Sequence, residues 1–71
     1  LSRKGILLAI AEQLDMDALD IDPHEDLRHY GLDSVSMVSL VGLWRANGAN
    51  IRYEDLQSKP TLHGLLQILT D

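Results

Sequence analysis

Cysteine is absent from this 71-residue chain. That excludes a disulfide framework and any Cys-based zinc site, so the core must rest on apolar packing alone. Basic residues are scarce: six Lys and Arg stand against eleven Asp and Glu, a formal net charge of -5. A nucleic-acid binder needs a basic surface to displace counterions, and an anchor on anionic lipid needs one too; neither is available. No apolar run approaches the ~20 residues that span a bilayer. No signal peptide is expected, because acidic residues follow soon after Ile6, Leu7 and Leu8.

Length narrows the choice further. The chain has room for one domain and not for two. It is also short for a closed catalytic cleft together with the shell that supports one, which argues against an independent enzyme. Leu1 rather than Met stands first, so residues 1–71 read as a single domain excised from a larger polypeptide. With 45% hydrophobic residues a core is possible, and stability on the order of 4–10 kcal/mol is expected.

What is present reads as helices. Ile6, Leu7, Ile10 and Leu14 recur at helical spacing behind a candidate cap at Ser2. A long acidic connection follows, from about Asp15 to Asp33. Its Leu19, Ile21, Leu27 and Tyr30 are too apolar for a free linker, and an ordered loop packed over the core is expected. Asp15 and Asp17 begin a calcium-loop pattern, but Leu19 and Asp20 stand where a third ligand and a Gly are needed, leaving a solvated acidic surface as the better reading. A second helix opens at Asp33-Ser34 and stops near Asn47-Gly48. A short helical piece runs from Ile51 to Leu56. After Pro60, Thr61 caps a last helix with Leu62, Leu65, Leu66 and Leu69 on one stripe. The fold class is all-α: a small bundle of three main helices and one short one.

The helix beginning at Ser34 has two apolar faces. At ~100° per residue, Met37, Leu40, Val41 and Trp44 form the natural core stripe. Val35, Val38 and Gly42 fall on the opposite side with Ser39 beside them, where charge would be ordinary. Two readings stand open: the face is an interaction surface, or the acidic loop folds over it. Ser34 itself heads the helix. Free backbone N–H groups and the positive end of the helix dipole suit a phosphate ester on its side chain, and they equally suit an ordinary N-cap, the commoner role. A nucleophilic Ser34 is disfavoured. Gly31-Leu32-Asp33-Ser34-Val35 lacks the spacing of a nucleophile elbow, and His24, His29 and His63 read as surface residues rather than bases.

The block Tyr30-Gly31-Leu32-Asp33-Ser34-Val35 resembles the carrier-protein domains of nonribosomal peptide synthesis, and among them the aryl carriers. The resemblance extends over nearly the whole chain, through Ile21-Asp22-Pro23, Asp26-Leu27, Trp44-Arg45 and Leu56 to Pro60-Thr61-Leu62. It implies an acyl-carrier-like four-helix bundle that is not itself a catalyst. It implies covalent 4′-phosphopantetheine on Ser34, donated by coenzyme A through a phosphopantetheinyl transferase. Asp33, Leu32 and Gly31 would complete the attachment motif. Partners would read Val35, Val38, Gly42, Tyr53 and Gln57. They would include an aryl-acid adenylating enzyme and a condensation domain of a synthetase. The isolated domain is expected to be monomeric and cytoplasmic, with no metal site.

The subtype rests on four features, one of them Tyr30 before Gly31 together with Trp44-Arg45 late in the helix, which look like the aryl carriers of catechol-siderophore assembly. Peptidyl carriers commonly read Gly-Gly-x-Ser where this chain has Leu32-Asp33-Ser34. Fatty-acid carriers have an acid-rich Ser helix, whereas Ser34 to Asn47 contains no acid. Gln57 replaces an aromatic residue found in many peptidyl carriers. The resemblance thus implies a siderophore-assembly carrier loaded with 2,3-dihydroxybenzoate or salicylate. Its rivals are a peptidyl or polyketide carrier with another load, and an unmodified helical interaction module.

Overall fold

A computed structural model describes residues 1–70, and the expected all-α bundle is what it shows. Four α-helices, α1 (Arg3–Leu14), α2 (Ser34–Ala46), α3 (Tyr53–Ser58) and α4 (Leu62–Leu69), enclose one core. The molecule measures 27 × 22 × 18 Å.

Each helix begins at a side chain that answers a free amide. Ser2 Oγ accepts the Gly5 N–H at 3.0 Å to start α1. Thr61 Oγ1 accepts the Gly64 N–H at 3.0 Å to start α4. At the head of α3, Asp55 reaches back so that its Oδ2 accepts the Arg52 N–H at 3.0 Å. These bonds replace water at amides that the helix ladder cannot pair. Gly64 is buried, and a Cβ there would meet the Lys59 Cβ at 3.0 Å. The close approach lets the chain around Lys59 lie against α4.

Ile6 and Ile10 of α1, Leu40 and Trp44 of α2, Leu56 of α3 and Leu65 of α4 are fully buried. Trp44 is the central plug. Its indole N–H has no partner among the described residues, which costs about 1–3 kcal/mol. Burying the ring returns more, ~4–6 kcal/mol at the usual area coefficient, so the position is held by packing.

The acidic connection is ordered, and its carboxylates have structural work. Asp17 Oδ1 accepts the Leu19 N–H at 2.9 Å and caps a 3₁₀ turn over Ala18–Asp20. Asp22 Oδ1 accepts the His24 N–H at 2.9 Å. Asp26 Oδ1 accepts the Arg28 N–H at 2.9 Å and caps a second 3₁₀ turn, Leu27–Tyr30. Two backbone bonds fasten the loop to the α3–α4 connection and to the head of α4: Leu27 N–H to the Pro60 carbonyl at 2.7 Å, and His63 N–H to the Pro23 carbonyl at 2.9 Å. The Tyr30 hydroxyl accepts the Asp22 N–H at 2.9 Å. Ile21, Leu27 and Leu32 enter the core from this loop.

Three expectations need correction, and one open question is answered. Leu19 is not packed: it is 92% exposed at the tip of the first 3₁₀ turn, held out by the Asp17 cap. The short helix starts at Tyr53 rather than Ile51, because the extended backbone at Arg52 leaves Ile51 as a buried lead-in. The cap of α2 is Asp33, and Ser34 is already the first helical residue. Finally, the loop does not cover the second face of α2. Val35 stays 74% and Val38 61% exposed, while Met37 and Leu40 face inward.

That last contrast sets opposite outcomes for adjacent positions. Val38→Asp should shift stability by about 0.5 kcal/mol or less, as surface substitutions do. Met37→Asp or Leu40→Asp should largely unfold the domain, because each buries a charge without a partner. Urea titrations followed by circular dichroism separate the two. A large loss for Val38→Asp would place that side chain in the core.

Candidate functional site

The segment before α2 is a turn, an anchor and a cap in succession. Gly31 has φ 105°, a left-handed conformation that side chains disfavour, and it closes the second 3₁₀ turn. Leu32 is buried and pins the chain to the core. Asp33 is extended, and its Oδ1 accepts the Ser36 N–H at 2.8 Å while its carbonyl accepts the Met37 N–H at 2.9 Å. With the cap made by Asp33, the Ser34 hydroxyl is left exposed and makes no hydrogen bond among the described residues.

The electrostatics follow from the same bond. The Ser36 amide holds the Asp33 carboxyl below its ordinary value of 3.8, and the Ser36 hydroxyl adds to the effect. Asp33 is therefore a carboxylate at neutral pH, turned to its own helix. Further back, the Arg28 guanidinium beside Asp26, 2.6 Å from Nη2 to Oδ2, lowers that carboxyl to about 2. His29 pairs with Glu25, whose carboxylate raises the imidazole above its ordinary range.

Beside Ser34 lies an open apolar groove of about 320 Å³ between α2 and α3, lined by Ser34, Val35, Val38, Ser39 and Tyr53. Three expected surface residues, Val35, Val38 and Tyr53, thus converge on the expected attachment residue. Gly42 and Gln57 are exposed but do not line the groove. Ser39, placed beside this face by its spacing one turn beyond Val35, also lines the groove, although it was not among the residues expected to be read by partners. The histidines are elsewhere. His24 and His63 face each other with ring centroids 4.8 Å apart, and His29 is engaged with Glu25, so none hydrogen-bonds Ser34. Among the described residues, no three His, Asp or Glu side chains form a group that could hold a metal ion, and no helix is long and apolar enough to cross a membrane.

Comparison with known proteins decides the class. The family described as phosphopantetheine attachment site matches residues 4–69. The chain belongs to that family. Its members carry 4′-phosphopantetheine as a covalent group. An isochorismatase of Bacillus subtilis is 41% identical over 67 residues, which is 94% of this chain and 22% of that protein. A phenyloxazoline synthase, MbtB, of a Mycobacterium species is 36% identical over 86% of this chain and 5% of its own length. Pseudomonine synthase PmsE of Pseudomonas entomophila is 42% identical over 70% of this chain and 8% of its own length. The chain therefore spans about a fifth of the first relative and under a tenth of the other two. No solved structure matches it.

The residues present fit the group. A free, exposed hydroxyl sits on the first turn of a helix, where partial positive charge favours a phosphodiester. The wall beside it is uncharged, and the nearest carboxylate is committed to capping.

The Asp33 cap gives a pH test with a definite sign. Its folded-state pKa is lowered, so its stabilisation is present above 3.8 and is lost as pH falls through the folded value. Asp33→Ala should lower the unfolding midpoint at pH 7 and flatten the decline below pH 4. Asp33→Asn, which still caps, should keep the pH 7 midpoint and lose that part of the decline. Thermal unfolding of the three proteins across this range would measure it; an unchanged acid limb in both variants would remove the cap from the account.

Proposed function

We propose that this chain is an aryl carrier domain, with Ser34 as its attachment residue. The observation that carries the reading is the unpaired, exposed Ser34 hydroxyl at the head of α2, inside a chain whose family bears phosphopantetheine. During modification the Ser34 Oγ–H bond is exchanged for an Oγ–P bond. The pyrophosphate link of coenzyme A breaks, and adenosine 3′,5′-bisphosphate leaves. When bound, the group supplies a terminal thiol that holds an acyl load as a thioester, which explains thiol chemistry in a chain without cysteine.

The chain's own residues present and orient. Gly31 turns the backbone, Leu32 anchors it, and Asp33 fixes the first turn so that the Ser34 hydroxyl faces a transferase. In this reading the domain carries its load and leaves catalysis to its partners, in keeping with a family described as a phosphopantetheine attachment site. Val35, Val38 and Tyr53, with Gly42 and Gln57 at the margin, form the surface that partners read. These partners are a phosphopantetheinyl transferase, an aryl-acid adenylating enzyme and a condensation domain. Each contact must be brief, since the carrier leaves one partner for the next, and interfaces at the small end of the range are expected.

The aryl load, 2,3-dihydroxybenzoate or salicylate, is supported by the relatives rather than by a built pocket. One of them is named for a phenyloxazoline product and another is an isochorismatase. The acid-free α2 surface agrees, because it offers no carboxylate to the basic patches of fatty-acid partners. In this reading residues 1–71 act as one cytoplasmic domain of a siderophore synthetase or of an isochorismatase fusion.

Incubation with coenzyme A and a broad-specificity transferase should add one phosphopantetheine unit by intact mass, and Ser34→Ala should abolish the gain. The loaded protein should then accept an aryl acid from an aryl-acid adenylating enzyme and refuse amino acids. Acceptance of amino acids alone would replace the aryl reading with a peptidyl one; no mass gain in the folded protein would remove the carrier reading.

A further inference from the structure

We infer that His24 and His63 form a two-imidazole site for a divalent zinc-type ion, which staples the acidic connection to the head of α4. The family resemblance implied no metal, and the inference is independent of attachment at Ser34.

Three observations bring the pair together. The Pro23 carbonyl accepts the His63 N–H at 2.9 Å, and Asp22 Oδ1 accepts the His24 N–H at 2.9 Å, so both backbones are held where loop and helix meet. The two rings lie with centroids 4.8 Å apart and planes tilted by 40°. Both side chains are exposed, and neither makes a hydrogen bond or an ion pair among the described residues, whereas His29 is engaged with Glu25.

The spacing suits an ion. Zinc takes a ring nitrogen at about 2.1 Å with tetrahedral angles, and that nitrogen lies about 1.1 Å from its ring centroid, so two rings aimed at one ion stand about 5.2 Å apart. The observed 4.8 Å is close to this, and rotation of two exposed side chains covers the difference. Donor type selects the ion. Imidazole nitrogen suits zinc, copper and nickel, whereas magnesium and calcium take oxygen. His63 also lines an open groove of about 360 Å³ with Arg3, Leu66, Gln67 and Thr70, through which ion and water reach its ring. Arg3 opposes a cation held by charge alone, so the nitrogen bonds carry the affinity. With two protein ligands, water completes the coordination and the ion exchanges readily. Among the described residues no third His, Asp or Glu joins the group.

The consequence is a joint that tightens when the ion is present. The ion favours the folded chain, where the two rings meet, over the unfolded one. The amides that pin the joint, Leu27 on the Pro60 carbonyl and His63 on the Pro23 carbonyl, report it.

Zinc chloride titrated into the chain in a non-coordinating buffer tests this, followed by calorimetry and amide NMR. One ion should bind per chain, with shifts centred on His24 and His63. At about ten times the dissociation constant the unfolding equilibrium constant should fall about elevenfold, and exchange of the Leu27 and His63 amides should slow. His24→Gln and His63→Gln, each folded by circular dichroism, should weaken binding by about tenfold or more, since loss of even a supporting contact commonly costs that much. His29→Gln should leave binding unchanged, and magnesium should produce none of these effects. If His63→Gln fails to fold, His24→Gln decides alone. Binding that survives loss of His24, binding that follows His29, one ion shared by two chains, or no binding at millimolar zinc would each overturn the site.

Discussion

One hydrogen bond organises the site: Asp33 Oδ1 to the Ser36 amide, 2.8 Å long. A helix can begin only where its first amides find acceptors. Asp33 supplies one and thereby leaves the next residue free. If Ser34 capped α2 itself, its hydroxyl would be tied to the helix. Because Asp33 takes that role, Ser34 occupies the first turn with its oxygen exposed. Exposure of the Ser34 hydroxyl is thus a by-product of helix initiation. The buried Leu32 and the left-handed Gly31 serve the same end, since they deliver the cap to one place.

The same device recurs along the acidic connection. Asp17, Asp22 and Asp26 each accept a nearby amide from their own turn. A chain with eleven acids spends several of them on backbone groups that a long loop would otherwise leave to water. Fastened to Pro60 and His63, this loop packs Ile21 and Leu27 inward and leaves the second face of α2 uncovered. That face remains apolar and open beside Ser34. Rigid loop and bare groove are two aspects of one arrangement: the loop is held where it cannot fold over the valines.

Much of this was legible in the residues. Helical spacing and the caps Ser2 and Thr61 marked α1 and α4, because capping and periodicity are local and strong. The two faces of α2 were legible for the same reason, and Val35 and Val38 are exposed as the spacing implied. Whether the loop covered them was not legible, since that depends on where Leu27 and His63 find their carbonyl partners across the chain. The choice of cap between Asp33 and Ser34 was also closed to sequence reasoning. Both residue types cap about equally well, and moving the boundary by one residue leaves the apolar period unchanged. Leu19 misled because an apolar residue in a loop is ordinarily an anchor, whereas the Asp17 cap holds it outward. Tyr53 was expected at the surface from resemblance; its place in the groove depends on how α3 packs against α2.

The central claim is that the Asp33 cap singles out Ser34 among the serines of α2, Ser34, Ser36 and Ser39. Fragmentation mass spectrometry of the modified, folded protein tests it most directly, by locating the added group on the peptide that spans α2. The account predicts modification at Ser34 alone. Modification at Ser36, whose amide answers the cap, or at Ser39, in the groove wall, would contradict it.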